Sequence, residues 1–181
     1  MSLQTETLEA LKQTQELVEV YRDGINADSL QGVITAYTDD FIYMSLVSEA
    51  GLDNGIAVIF AEHITRIRWE GNVRACVSEL MQRSGCVLLK PALNLSTIQT
   101  VLQSVQDCFG YVNIHTEKTA DDICFIGEIE KMDAQTIVLH GYGTMVSRDR
   151  NRMMLSLDEI TRVDAEAQYE KDIKSLFVTA E

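Results

Sequence analysis

The sequence is poor in proline and in basic side chains, and it contains no long apolar run. One proline in 181 residues, with 46% hydrophobic residues, indicates a folded globular chain. The 15 Lys and Arg against 28 Asp and Glu give a formal charge of -13, which disfavours RNA and anionic membranes as nonspecific partners. No apolar run approaches the roughly 18 residues of a membrane helix, and the first 11 residues lack a signal-peptide core. We expect a soluble, cytoplasmic protein.

Residue patterns for catalysis or metal binding are also missing. The four cysteines are far apart, with no CxxC spacing and no neighbouring histidine: Cys76, Cys86, Cys108 and Cys124. The three histidines share no spacing: His63, His115 and His140. The sequence has no nucleophile elbow, HExxH, P-loop or dinucleotide fingerprint. We therefore predict reduced structural cysteines, no enzyme activity, no metal site and no cofactor.

What the sequence does contain is a short segment that occurs twice. AEHITRIRWEGNV at 61–73 and LDEITRVDAEAQY at 157–169 share Ile-Thr-Arg, each after a strand-like run and before a helix-like one. Apolar positions match at offsets of 94, 95 and 96 residues, and the offset changes only at predicted turns. This pattern predicts a duplicated unit, with one copy over 1–90 and the other over 91–181.

Each half is predicted as a helix, five short strands and a second helix. In the first half we predict helices at 4–16 and 70–83 and strands at 17–22, 30–36, 41–47, 56–60 and 64–68. In the second, we predict helices from a cap at Asn94 or Ser96 to Gly110 and at 167–177, with strands at 111–116, 124–131, 136–139, 152–157 and 160–163. Five short antiparallel strands favour a small SH3-like barrel, bent at Gly32 or Gly127. The predicted class is mainly β with flanking helices.

A family resemblance follows from the second half. The run GEIEKMD at 127–133, followed by TIVL at 136–139, resembles the first motif of Sm-like proteins, particularly the bacterial RNA chaperone branch. Ile160 to Val163 falls where the fifth strand of that family would lie. The resemblance implies a helix and five bent strands in each half, and an RNA-binding role. The first half departs from the motif, with Thr38-Asp39-Asp40 in place of a single turn aspartate.

The RNA site that the resemblance implies lacks its basic residues. At the turn between the fourth and fifth strands the chain carries Leu157-Asp158-Glu159 and Ala61-Glu62-His63, and acidic groups there repel phosphate. One basic cluster remains in a predicted loop: Arg148, Arg150 and Arg152. It is a candidate contact for an acidic partner or a phosphate, but we favour a solvated hairpin tip.

Three further candidate residues lie in the two copies of the repeated segment. Arg66 and Arg162 are candidate functional side chains, although we expect each to pair with a nearby carboxylate, such as Glu62 or Asp158, and to pin the turn. Trp69, the only tryptophan, is either an interface anchor or a packing residue for the following helix.

These observations favour a noncatalytic interaction or assembly module made of two Sm-like units. Exposed fourth and fifth strands invite strand pairing, so self-association into a dimer or ring is predicted, with another protein as a further candidate partner. Two alternatives stay open. One is an RNA-binding regulator of the Sm-like type, and the other is a ligand or metal sensor using a cleft between the units.

Overall fold

The computed structural model describes residues 2–118, 120, 123–147 and 149–178. The described chain is mainly β, with antiparallel strands and four helices, as the sequence predicts. It divides into two compact units between Lys90 and Pro91.

The first unit begins and ends with a helix around five strands. The helices are α1 (Leu3–Thr14) and α2 (Asn72–Ser84), and the strands are β1 (Val18–Arg22), β2 (Asn26–Tyr37), β3 (Phe41–Val47), β4 (Asp53–Phe60) and β5 (Arg66–Trp69). The strand order is β5-β1-β2-β3-β4, and every neighbouring pair is antiparallel. The predicted hairpin around Thr38-Asp39-Asp40 is therefore confirmed as β2 and β3.

One face of these strands encloses the core of the first unit. Helix α1 is capped by the Ser2 side chain, which accepts from the Thr5 amide, and it inserts Leu8 and Leu11 among the strands. All five strands supply residues to this core: Val18, Val20, Leu30, Ile34, Ile42, Met44, Ala57, Ile59 and Ile67. Because strands from both ends of the order contribute to one cluster, the sheet must curve around it.

Glycine at position 32 is required by the close approach of β2 to β3. Gly32 lies opposite Leu46, and a Cβ at Gly32 would overlap the main-chain oxygen of Ser45. The register then shifts between Ile34 and Ala36. A close crossing followed by a bulge bends a long strand.

The second unit has the same element order. Its helices are α3 (Ile98–Phe109) and α4 (Gln168–Val178), and its strands are β6 (Val112–His115), β7 (Cys124–Met132), β8 (Thr136–Gly141), β9 (Arg152–Ser156) and β10 (Arg162–Ala165). The strand order is β10-β6-β7-β8-β9, again antiparallel. A Cβ at Gly127 would overlap the main-chain oxygen of His140, and a register shift follows between Ile129 and Lys131.

Helix α3 shows where a local prediction is right and where it is wrong. It ends at Gly110, which adopts the predicted left-handed conformation with φ +80°. Its N-cap is Thr97, in a reciprocal box with Thr100, and the prediction of Asn94 or Ser96 is wrong. Asn94 instead orders the preceding turn, where its side chain accepts from the Ser96 amide.

The apolar side chains of α2 are only partly buried, since Val73 and Leu80 are exposed while Val77 and the charged Arg74 are buried. Among the described residues, no strand pairing closes either unit's sheet into a barrel.

Candidate functional site

The repeated Ile-Thr-Arg segment of the second unit lies at the centre of a buried polar cluster. Thr161 precedes β10. Its amide donates to the His115 carbonyl at 2.9 Å, and its hydroxyl oxygen lies 3.1 Å from the same carbonyl oxygen. The same hydroxyl donates to Glu117 Oε2 at 2.8 Å and accepts from the Glu117 amide at 3.2 Å. Thr161 thus ties the end of β6 to the start of β10.

Arg162 connects the carboxylates of this cluster. Its Nη1 lies 3.3 Å from Glu117 Oε1, and its Nε lies 3.0 Å from Asp164 Oδ2. His115 Nε2 also lies 3.0 Å from Asp164 Oδ2. Burial would raise the pKa of Asp164, but Arg162 and His115 outweigh burial, so this pKa is lowered. We call these five residues, Thr161, Arg162, His115, Glu117 and Asp164, the Arg162 cluster.

The first unit carries a matching set of contacts around Arg66. Thr65 donates from its amide to the Tyr21 carbonyl at 2.9 Å and from its hydroxyl to Asp23 Oδ2 at 2.6 Å. Arg66 Nη2 lies 3.1 Å from Asp23 Oδ1, and its guanidinium lies 3.9 Å from the centre of the Tyr21 ring. We call Thr65, Arg66, Tyr21 and Asp23 the Arg66 cluster.

The two clusters differ in exposure. The side chains of Arg162 and Glu117 are 14% and 0% exposed, whereas those of Arg66 and Asp23 are 56% and 47% exposed. Each arginine pairs with a carboxylate, as predicted, but the partners are Glu117 and Asp164 in one unit and Asp23 in the other. Glu62 and Asp158 are not those partners. Asp158 is exposed, and its main-chain oxygen accepts from Lys118 Nζ at 2.9 Å.

A Cys–His–Asp arrangement near the Arg162 cluster lacks the properties of a nucleophilic site. Cys124 lies opposite His115 in the β6–β7 register, and His115 contacts Asp164. Burial, followed by the nearby Asp164 and Glu170, raises the pKa of the Cys124 thiol. The protonated thiol is a poor nucleophile, because the reactive form is the thiolate.

The predicted basic cluster is neutralised within its own sheet. Arg152 Nε lies 3.0 and 2.9 Å from the two oxygens of Glu130. Arg150 lies 3.3 Å from Glu128 and 5.1 Å from the centre of the Tyr142 ring. Both arginines are therefore paired with carboxylates of β7. Arg148 lies outside the described residues.

Trp69 lies at the end of β5, beside a surface groove. The indole is 43% exposed and borders the groove together with Leu3 and Thr7 of α1 and Ile67 of β5. Sequence reasoning offered an interface anchor or a packing residue, and the indole has both an exposed face and neighbours in its own unit.

Within the described residues, no group of three or more His, Cys, Asp or Glu side chains is placed to hold a metal ion. No helix in the described part of the chain is long and apolar enough to cross a membrane. Comparison of the chain with protein families, curated proteins and solved structures gave no match.

Sequence reasoning missed the acidic half of the Arg162 cluster. Glu117 lies 44 positions before Thr161, so strand pairing rather than local sequence brings these two side chains together. One signal was available in the sequence. Asp23 and Glu117 are both acidic and lie 94 residues apart, which is one of the offsets at which the apolar positions of the two halves match.

Proposed function

We propose that this chain is a noncatalytic assembly module built from two related Sm-like units, and that it associates with further copies of itself. The association uses strands β5 and β9. The observation that carries the proposal is the outward-facing edge of β9, and the similarity of the two units supports it.

Three correspondences favour a common origin for the units. The strand order β5-β1-β2-β3-β4 corresponds element by element to β10-β6-β7-β8-β9. Gly32 and Gly127 make the same close crossing, each followed by a bulge. Thr65 and Thr161 make the same bonds. A helix followed by five strands in this order resembles the Sm-like fold.

The hydrogen bonds of β9 identify its free edge. The Leu157 amide donates to the Gln135 carbonyl, and the Asn151 carbonyl accepts from the Gly141 amide, both at 2.8 Å. In an antiparallel ladder alternate residues face the same neighbour, so Met153 and Leu155 also face β8. The amides of the intervening residues face away from β8: Arg152, Met154 and Ser156. Among the described strands, β9 pairs with β8 alone.

Strand β5 offers a second edge of similar length. It pairs with β1 alone among the described strands, and the Trp69 groove adjoins it. An unpaired strand edge with apolar neighbours favours pairing with another strand. Two different edges on one chain favour head-to-tail contacts, which close into a dimer or ring when the rotation allows.

The contacts of the arginines favour assembly over RNA binding. Arg150 and Arg152 already pair with Glu128 and Glu130, so a phosphate would have to displace a carboxylate. The net charge of -13 also disfavours RNA binding, because it repels the phosphates.

The proposal is tested by the mass of the chain in solution. We expect sedimentation equilibrium at micromolar concentration to give a multiple of the 20.3 kDa chain mass. Met154→Pro removes an outward-facing amide without removing a bond to β8, and proline is tolerated at such an edge. We expect this variant to shift the mass towards 20.3 kDa.

Met154→Leu is the matched control, because it keeps both the amide and an apolar side chain at the same position. We expect it to sediment as the unsubstituted chain does. A single 20.3 kDa species for the unsubstituted chain would contradict self-association. An unchanged assembly in Met154→Pro would contradict the role of β9.

A further inference from the structure

Helix α4 is anchored to β6 through a buried carboxyl group. Glu170, in the first turn of α4, is 4% exposed. Its Oε2 accepts from the Ala167 amide at 2.5 Å, as in half of a capping box, and its Oε1 accepts from Asn113 Nδ2 at 2.7 Å. Both donors are uncharged.

Two buried acceptors beside this carboxyl have no donor. Asn113 and Asp164 are opposite partners in the β6–β10 register and are 2% and 7% exposed. Neither Asn113 Oδ1 nor Asp164 Oδ1 accepts a hydrogen bond. A buried acceptor without a donor costs free energy, so an arrangement that supplies a donor is favoured.

We propose that Glu170 carries a proton in the folded chain and donates it to Asn113 Oδ1, so that a protonated carboxyl holds α4 on the sheet and rising pH releases the helix. The side-chain amide of Asn113 has nearly the same shape when its O and N are exchanged. After this exchange, Glu170 donates to Asn113 Oδ1, and Asn113 Nδ2 takes the position of the oxygen that had no donor. One added proton and one turned amide thus supply the donor that Asn113 Oδ1 lacks.

The surroundings of Glu170 favour its neutral form. Burial, followed by the charge of Asp164, raises the pKa of Glu170, and these effects outweigh the opposing bonds from Asn113 and Ala167 and the weaker effect of His115. Cys124 of β7 and Tyr111 beside β6 are also titratable groups near Glu170, and burial raises the pKa of both. Arg162 and His115 contact Asp164.

The direction of the pH effect follows from proton linkage. When the folded-state pKa of a carboxyl lies above its unfolded value, the folded chain binds more protons between the two values. This stabilisation is complete at pH below the unfolded value and is lost as pH rises through the folded value. The docking of α4 therefore weakens as the pH rises.

The protonation is measured on the full chain by NMR, from the side-chain carboxyl carbon of Glu170 across a pH titration. We expect its midpoint to lie above those of the exposed glutamates in the same spectra. A Glu170 midpoint at or below theirs would overturn the proposal, and this measurement needs no variant.

The release of α4 is measured by amide hydrogen exchange in peptides covering the helix. Glu170→Gln mimics the protonated form, since its amide donates to Asn113 Oδ1 while its oxygen accepts from Ala167. We expect the ratio of exchange rates, unsubstituted chain over Glu170→Gln, to rise with pH by up to about tenfold per unit.

Asp172→Asn is the matched control, because it removes an exposed charge from the same helix. We expect Asp172→Asn to keep the pH dependence of the unsubstituted chain. A ratio for Glu170→Gln that stays constant with pH would exclude the release of α4.

Discussion

At the scale of single residues, the same set of bonds occurs at two very different depths. Arg66 pairs with Asp23 at the surface, whereas Arg162 pairs with Glu117 and Asp164 in the interior. An exposed ion pair contributes little, because water and salt screen it. A buried pair contributes little as a whole, yet the loss of one member leaves the other charge buried without compensation.

Removing the two arginines should therefore have unequal effects. We expect Arg162→Met to lower the free energy of unfolding by about 3–5 kcal/mol, because Asp164 stays buried with one cation fewer. We expect Arg66→Met to lower it by no more than about 1 kcal/mol. Urea denaturation of both variants at neutral pH measures the difference. Equal losses would mean that depth does not determine the contribution of these pairs.

The carboxylate partners of Arg66 and Arg162 could not be predicted from the sequence. That Arg66 and Arg162 bind carboxylates follows from their charge, but local reasoning chose Glu62 and Asp158, four residues upstream. Strand pairing instead brings Asp23 and Glu117 to them, each more than 40 positions away in the chain. The choice depends on register, which a single sequence does not determine before the strands are paired.

At the scale of elements, glycine determines how the long strands of each unit pass their neighbours. Substitution by alanine places a Cβ of residue 32 or 127 against a main-chain oxygen, which cannot move as a flexible side chain does. We expect Gly32→Ala and Gly127→Ala each to lower the free energy of unfolding by about 1–3 kcal/mol, the usual cost of overpacking.

Gly24→Ala is the control for these two substitutions. No atom lies within 4 Å of a Cβ built at Gly24, so we expect its unfolding free energy to stay near that of the unsubstituted chain. Thermal or urea denaturation provides the comparison. Wild-type stability in Gly32→Ala or Gly127→Ala would show that the strands separate at little cost.

Element order was the most predictable feature of the chain, because apolar periodicity and turn residues are local. The predicted helix near residues 4–16 is α1, and the hairpin at Phe41 is β2 and β3. Helix α2 shows the limit of this reasoning. The apolar periodicity of this segment predicts the helix. Which face of the helix is covered depends on the elements that pack against it, and here Val73 is exposed while Arg74 is buried.

At the scale of the whole molecule, the charge of -13 was available from the sequence. Self-association was predicted from exposed strands. The hydrogen bonds of β9 identify the strand edge that this proposed association would use. Under the proposed function, the chain acts through contacts with other copies, and its buried ion pairs stabilise the fold.

The most direct test of this central claim is amide exchange along β9 at increasing protein concentration. Met153 and Leu155 face β8, so their amides should be protected at every concentration. The amides of Arg152, Met154 and Ser156 face away from β8 and should become protected only as the chain associates. If these three amides exchange freely at concentrations where the chain is associated, β9 does not form the interface.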